Sequence, residues 1–286
     1  MPLPDLPSLG ETVRRHGLRA DKSLGQHFLL DPSITDRIAS LCDLDGDLGG
    51  DSPATVLEVG PGPGGLTRSL LAAGAERVVA VEMDTRFLPA LAEVAEATGR
   101  LEVVEGDALE VDLRDRLPDG FVVASNLPYN VGTKLLTNWL TDEPRRWRQL
   151  VLMFQREVAE RVVAEPGTGA YGRLAVLSRS VCECHIAFGI PPGAFSPPPK
   201  VSSAVVVLRP LSEPFGDLAG LEQVTRAAFG QRRKMLRAAL RGMAKGAGVS
   251  AEAWLEASGL EPTARAETVP VEGFQRLVQT WRGMAG

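Results

Sequence analysis

Asn126, Leu127, Pro128 and Tyr129 bring an amide, a proline and a phenol together in one tetrapeptide. Pro128 fixes its own φ and pushes Leu127 towards extended geometry, so the carbonyls around it point in set directions. Acceptors held in place beside an aromatic face suit a flat substrate that carries an amino group. Asn and Pro are also ordinary turn residues, so the tetrapeptide taken alone reads first as a strand-to-helix turn.

A second cluster lies upstream. Gly60, Gly62 and Gly65 satisfy G-x-G-x-x-G, whose glycines permit a tight turn and close approach of backbone to a ligand. A nicotinamide dinucleotide is one occupant of such a loop. Two features point elsewhere: Glu58 would repel a pyrophosphate but accept an amine, and Pro61 and Pro63 remove two backbone N–H groups that a phosphate loop uses. Glu82 follows at the spacing of about 20 residues expected for a carboxylate that accepts from ribose hydroxyls. Asp107 stands where it could accept from an adenine amino group. Three acids in this order describe a site for a nucleoside with an aminoacyl arm and no phosphate, which S-adenosylmethionine fits. Singly, each acid would serve as a helix cap or turn residue.

These residues need a scaffold that brings them to one edge. The run Phe121–Ala124 reads as a buried strand that delivers the tetrapeptide beyond its carboxyl end. Strands are predicted at Val56–Val59, Arg77–Val81, Leu101–Val104, Phe121–Ser125 and Gln149–Phe154, with helices near 65–73, 85–98, 131–141 and 156–164. That alternation predicts βαβ units and a parallel sheet, an α/β fold. A helix from about Arg173 and strands at His185–Gly189 and Val201–Leu208 follow. Their connector, Pro191–Lys200, is proline-rich and reads as a stiff loop outside any strand or helix interior. Asp31 and Pro32 start a helix reaching about Cys42, and Asp43–Asp51 reads as a loop. Residues 1–20, with Arg14, Arg15, His16 and Arg19, followed by Lys22, read as an irregular arm.

Beyond Pro210 the pattern is helical, from about 217 to 283, broken at Gly230, Gly246, Pro262 and Pro270. The predicted division is 1–210, including an N-terminal arm at 1–30, and a smaller all-α part at 211–286. Arg226, Arg232, Arg233, Lys234, Arg237, Arg241 and Lys245 lie in 226–245 without an acid, although the chain's net charge is −5 and its pI about 5.4. On one helix, 233, 237 and 241 would share a face, a surface suited to tracking phosphates. A solvated helix face is the usual account of a charge run, but the sign asymmetry within an acidic chain favours the phosphate-tracking surface.

Among 286 residues, 44% hydrophobic content supports a substantial core. Three cysteines, Cys42, Cys182 and Cys184, fit a reducing compartment better than a disulfide scaffold. No apolar run approaches the roughly 18 residues of a membrane span. The start of the chain, with Pro2, Pro4, Asp5 and Pro7, does not read as a signal peptide, so a cytoplasmic protein is expected. Cys182, Cys184 and His185 lack a second ligand pair, and no metal site is expected. Trp139, Trp147, Trp254 and Trp281 read as packing residues.

Read together, the motifs resemble the S-adenosylmethionine-dependent methyltransferases of exocyclic amines. Four separated segments narrow the match: Leu24–Leu29, Asn126–Asn130, Phe195 with Pro197–Val201 and Ser203–Val205, and Phe229 with Gln231–Lys234, Leu236 and Arg237. In this order they are similar to the ribosomal RNA adenine N6,N6-dimethyltransferases, in particular those acting on bacterial small-subunit (16S) RNA. The resemblance spans about Ala20 to Gly273. It implies a Rossmann-like class I S-adenosylmethionine-dependent methyltransferase domain with a smaller C-terminal all-α domain. It assigns cofactor contacts to His27, Leu29, Gly60, Gly62, Glu82, Met83, Asp107, Ala108 and Asn126. Asn126, Leu127, Pro128, Tyr129 and Phe195 would form the catalytic set, with Tyr129 and Phe195 sandwiching an extruded adenine. Lys200, Arg232, Arg233, Lys234 and Arg237 would contact RNA. The implied substrate is the small ribosomal subunit RNA of a 30S precursor particle, with the enzyme a monomer and no membrane partner. Methylation of a large-subunit adenine, a non-catalytic module like the related mitochondrial transcription factors, and a nicotinamide oxidoreductase remain alternatives.

Overall fold

The central apolar runs are buried along their whole length, as a parallel sheet covered by helices requires. The computed structural model describes residues 6–21, 26–45, 54–128, 130–231 and 233–285. Lys22, Leu24, Gly25, Tyr129 and Arg232, to which the sequence assigns roles or motif positions, lie outside the described residues.

In chain order the first elements are α1 (Leu9–Arg15), β1 (Phe28–Leu29), α2 (Pro32–Ala39), β2 (Thr55–Val59), α3 (Gly65–Ala73), β3 (Arg77–Glu82), α4 (Leu88–Thr98) and β4 (Leu101–Glu105). Next come β5 (Phe121–Asn126), α5 (Gly132–Thr141), β6 (Trp147–Gln155), α6 (Arg156–Val163), α7 (Arg173–Val181), β7 (Cys182–Ile190), β8 (Phe195–Ser196) and β9 (Ser203–Pro210). The last are α8 (Leu218–Phe229), α9 (Leu236–Ala239), α10 (Arg241–Gly246), α11 (Ala251–Ala257) and α12 (Val271–Ala285). Among the described residues no helix is long and apolar enough to cross a membrane.

One sheet has the order β4-β3-β2-β5-β6-β9-β7. β2 is parallel to β3 and β5, β3 to β4, and β5 to β6, while β9 returns antiparallel to β6. The chain winds outward from β2 through β3 to β4, then crosses back to β5 on the other side of β2. The switch point therefore lies between the carboxyl ends of β2 and β5, the place where open α/β sheets bind ligands. Leu66, Leu70 and Leu71 of α3 and Leu91 and Val94 of α4 are buried in the core that holds these strands, each contributing about 1.5–3 kcal/mol on leaving water.

Three stretches differ from their sequence readings. The arm contains α1, whose first turn is closed by a capping box: Ser8 Oγ accepts from Glu11 N while Glu11 accepts from Ser8 N. Arg15 and His16 both bond Glu93 of α4. Within the proline-rich connector, Phe195 and Ser196 form a two-residue strand antiparallel to β1, with Leu29 opposite Phe195. The basic run is not one helix. Arg233 and Lys234 stand before α9, Arg237 lies in it and Arg241 opens α10, because Met235 bridges Arg265 and draws the chain out of helical form.

The chain forms two compact units, Met1–Ala159 with His185–Arg209, and Glu160–Cys184 with Pro210–Gly286. In place of one break near 210, Glu160–Cys184 joins the C-terminal helices. Tyr171 explains this: it is fully buried, its hydroxyl donates to the Val269 carbonyl at 2.9 Å, and its ring packs edge-on against Phe229.

Candidate active site

The site begins with the turn after β2. Gly60, Gly62 and Gly64 all have positive φ, at 67°, 54° and 86°, so the loop folds back tightly where a β-carbon would be strained. Gly62 faces open space, whereas a β-carbon at Gly60 would lie 3.5 Å from Pro128 Cγ. Gly60 of the glycine loop and Pro128 after β5 are thus neighbours across the switch point.

The amides of this loop decide what it can hold. Gly60 N donates to Val81 O at 2.9 Å, Gly62 N to Glu82 Oε2 at 3.0 Å and Gly64 N to Pro61 O at 3.0 Å. Pro61 and Pro63 have no N–H. From Gly60 to Gly64 every backbone donor is absent or already engaged, so the loop offers no cradle for a pyrophosphate. The nicotinamide reading loses its main support here.

Carboxylates line the same cavity. Glu58 is 1% exposed, accepts from Thr67 Oγ1 at 2.6 Å, and is pushed up to about 8 by desolvation, with the neighbouring charge of Glu82 adding to it. Glu82 ends β3 and is raised as well, again chiefly by burial. Its two oxygens accept from Gly62 N at 3.0 Å and Asp84 N at 2.8 Å, which fixes the plane of the carboxyl group. Asp107 follows Gly106 and caps its own turn, taking the Leu109 amide at 2.9 Å. Gly60, Gly62, Glu82, Met83, Asp107, Ala108 and Asn126 line one cavity with His27 and Leu29, all nine expected cofactor positions.

The N-terminal residues reach the cavity through two contacts. β1 pairs with β8, and His27 Nδ1 donates to the Pro197 carbonyl at 2.7 Å. Gln26, from the same motif but given no role by the sequence reading, also lines the cavity and donates to Asp84 at 2.8 Å.

Asn126, the last residue of β5, lies beside Leu127 and Pro128 in the cavity wall. Leu127 is 1% exposed, its side chain serving as the anchor that holds the turn. The Pro128 carbonyl accepts from Val131 N at 3.2 Å and from Gly132 N at 3.0 Å, the amides that start α5. The Pro128 carbonyl is thus engaged by the start of α5. Ser125 Oγ donates to Val59 O at 2.6 Å and ties β5 to β2 at this level.

Phe195 is 4% exposed, belongs to the hydrophobic core opposite Leu29, and is not among the residues lining this cavity. Lys200, Arg233, Lys234 and Arg237 are exposed. Burial pushes the Cys184 thiol up to about 11, and its Sγ lies 3.7 Å from the Val162 carbonyl.

Residues 17–281 match the family described as ribosomal RNA adenine dimethylase. The chain is 56% identical to the "Ribosomal RNA small subunit methyltransferase A" of Maricaulis maris, over 99% of this chain and 97% of that one. It is 57% identical to the protein of that name from Xanthobacter autotrophicus, over 98% of this chain and 95% of that one. Among solved structures it is similar to a dimethyladenosine transferase from Plasmodium falciparum, with a TM-score of 0.75 and 26% identity, covering 90% of this chain and 98% of that one. The 23S rRNA methyltransferase ErmE is also similar, with a TM-score of 0.65 and 28% identity over 89% of this chain and 99% of that one.

Proposed function

The chain belongs to the ribosomal RNA adenine dimethylase family, and from that premise we propose that it transfers methyl groups from S-adenosylmethionine to the exocyclic N6 of two adjacent adenosines in 16S ribosomal RNA. The product is N6,N6-dimethyladenosine, made during small-subunit biogenesis. The observation that carries this reading is the nearness of Pro128 to Gly60, with Asn126 lining the same cavity as a glycine loop that has no free donors for phosphate.

The residues present fit the cofactor. Glu82 would accept from ribose hydroxyls and Asp107 from the adenine amine, while Glu58, which keeps its proton below about pH 8, would offer a carboxyl oxygen to the aminoacyl ammonium. Gly62 leaves the space that backbone approach to a ligand needs. When bound, S-adenosylmethionine supplies an electrophilic methyl group on a sulfonium.

The chain's own work is on the acceptor. The N6 lone pair of adenine is delocalised into the ring and is a weak nucleophile. Asn126 Oδ1 and the Leu127 carbonyl accept the two N6–H bonds, which favours a pyramidal nitrogen with its lone pair directed at the methyl donor. The contribution is orientation and fixed dipoles more than proton removal. The nitrogen becomes cationic as the bond forms and gives up its proton readily, so no strong base is required. Tyr129 stacks on the extruded base, a contact worth about 1–3 kcal/mol. Lys200, Arg232, Arg233, Lys234 and Arg237 bind phosphates of the 30S precursor, and the enzyme acts as a cytoplasmic monomer.

The test is transfer of labelled methyl groups to purified undermethylated small subunits and to large subunits, followed by digestion to nucleosides. Labelled N6,N6-dimethyladenosine from the small subunit alone is expected. Label in the large subunit, or in another nucleoside, would reject the assignment.

A further inference from the structure

We propose that Gln26 and Asp84 are positioning residues of the cofactor site, locking the turn that aims Glu82 at the ribose and so making the N-terminal segment part of ribose recognition. The proposal rests on the reading of this cavity as an S-adenosylmethionine site.

Glu82 can discriminate only if its carboxyl group is held still, and backbone amides on two sides hold it. One comes from the glycine loop, Gly62 N at 3.0 Å, and the other from its own turn, Asp84 N at 2.8 Å. The second is as good as the turn is rigid. The Met83 side chain within that turn is 63% exposed, and its backbone also bonds the Glu82 carboxyl group. The anchoring falls to the Asp84 side chain. Its Oδ1 accepts from Arg86 N at 3.1 Å and Arg86 Nε at 2.8 Å, and its Oδ2 accepts from Gln26 Nε2 at 2.8 Å.

Gln26 is fixed in turn. Its Oε1 accepts from Asp21 N at 2.9 Å and from Arg86 Nη2 at 3.3 Å, and its own N–H donates to Asp21 O at 3.1 Å. Both ends of the amide are used, so a hydrocarbon or a carboxylate of the same length cannot replace it. Arg86, with Gln26 assisting, holds Asp84 down to about 2, and the acceptor stays charged across working pH. The result is a continuous path from Gln26 through Asp84 and Glu82 to Gly62, reaching both the loop and the carboxylate expected to meet the cofactor.

The test compares binding of S-adenosylhomocysteine with binding of its 2′,3′-dideoxyribose analogue, by calorimetry, in the full chain. Gln26→Met should weaken the ribose-bearing ligand about tenfold, the effect of loosening a hydrogen bond to a charged group, and leave the dideoxy analogue within about twofold. Turnover at saturating cofactor should hold, with the loss confined to KM. Gln26→Glu, which sets two carboxylates face to face, should weaken the ribose-bearing ligand further, and adding Asp84→Asn should restore part of that loss. Equal weakening of both ligands by Gln26→Met, or no restoration in the double variant, overturns the proposal and leaves Gln26 a plain structural residue. A wild-type chain that fails to distinguish the two ligands overturns the Glu82–ribose contact and this proposal with it. A wild-type chain that binds neither ligand overturns the cofactor reading itself.

Discussion

The Thr67 hydroxyl donates a 2.6 Å hydrogen bond to the buried carboxyl group of Glu58. That bond lowers the proton affinity of Glu58, yet desolvation outweighs it and holds the group up at about 8, against an ordinary value of 4.5. Between those two values the folded chain binds a proton that the unfolded chain has released. Stability should therefore fall as pH rises from about 4.5 to about 8, with a slope approaching about 1.4 kcal/mol per pH unit for one such group. Denaturant unfolding of the cofactor-free protein at several pH values should show a steeper decline for wild type than for Glu58→Gln. Parallel profiles would mean that Glu58 ionises normally.

Gly60 and Gly62 should respond differently to alanine. Both have positive φ, so each substitution carries about 1–2 kcal/mol of backbone strain. A methyl group at Gly60 also meets Pro128 at 3.5 Å, while one at Gly62 enters open space on the ligand side. Gly62→Ala should thus lose more cofactor affinity than its thermal stability alone suggests. Isothermal titration beside thermal unfolding separates the two, and unchanged cofactor affinity in Gly62→Ala would remove that loop from the site.

For Phe195, burial predicts a stability defect first. Phe195→Ala should cost about 3–5 kcal/mol by leaving a cavity in the core opposite Leu29. Phe195→Leu should recover most of that and most of the activity. A Phe195→Ala protein of normal stability that fails only with RNA would return the side chain to the stacking role expected from its motif.

Arg233, Lys234 and Arg237 are exposed on a turn and a short helix. Reversing Arg233 and Lys234 to glutamate should leave cofactor affinity intact and weaken RNA binding. Each phosphate contact removed should lower the slope of log K against log salt by roughly 0.7–0.9. An unchanged slope would make the basic run a solubility feature.

The sheet and the residues at its carboxyl edge were legible because their signals are local. Apolar runs of strand length alternate with helical spacing, and Asn126, Glu82 and Gly60 sit at the run ends where a parallel sheet delivers them. What was illegible depends on contacts distant in sequence. β1 and β8 have two residues each, too short for alternation to mark them, and they meet beside the bond from His27 to the Pro197 carbonyl. The basic run kept helical spacing on paper, but the bridge between Met235 and Arg265 breaks it. The division of carbonyls between Leu127 and Pro128 depends on where α5 starts, a detail that residue types do not fix. Gln26 was visible in its motif, and its partner Asp84 was hidden as an ordinary helix cap.

The central claim is that Asn126 and the Leu127 carbonyl orient the substrate amine at a cofactor held beside them. Single-turnover methyl transfer to undermethylated small subunits by Asn126→Ala, with cofactor and subunit both saturating, tests it most directly. Removing one preorganised group of this kind should slow the transfer step by about 10²- to 10³-fold. Cofactor affinity should change far less. A transfer rate near that of wild type, with both ligands bound, would contradict the account.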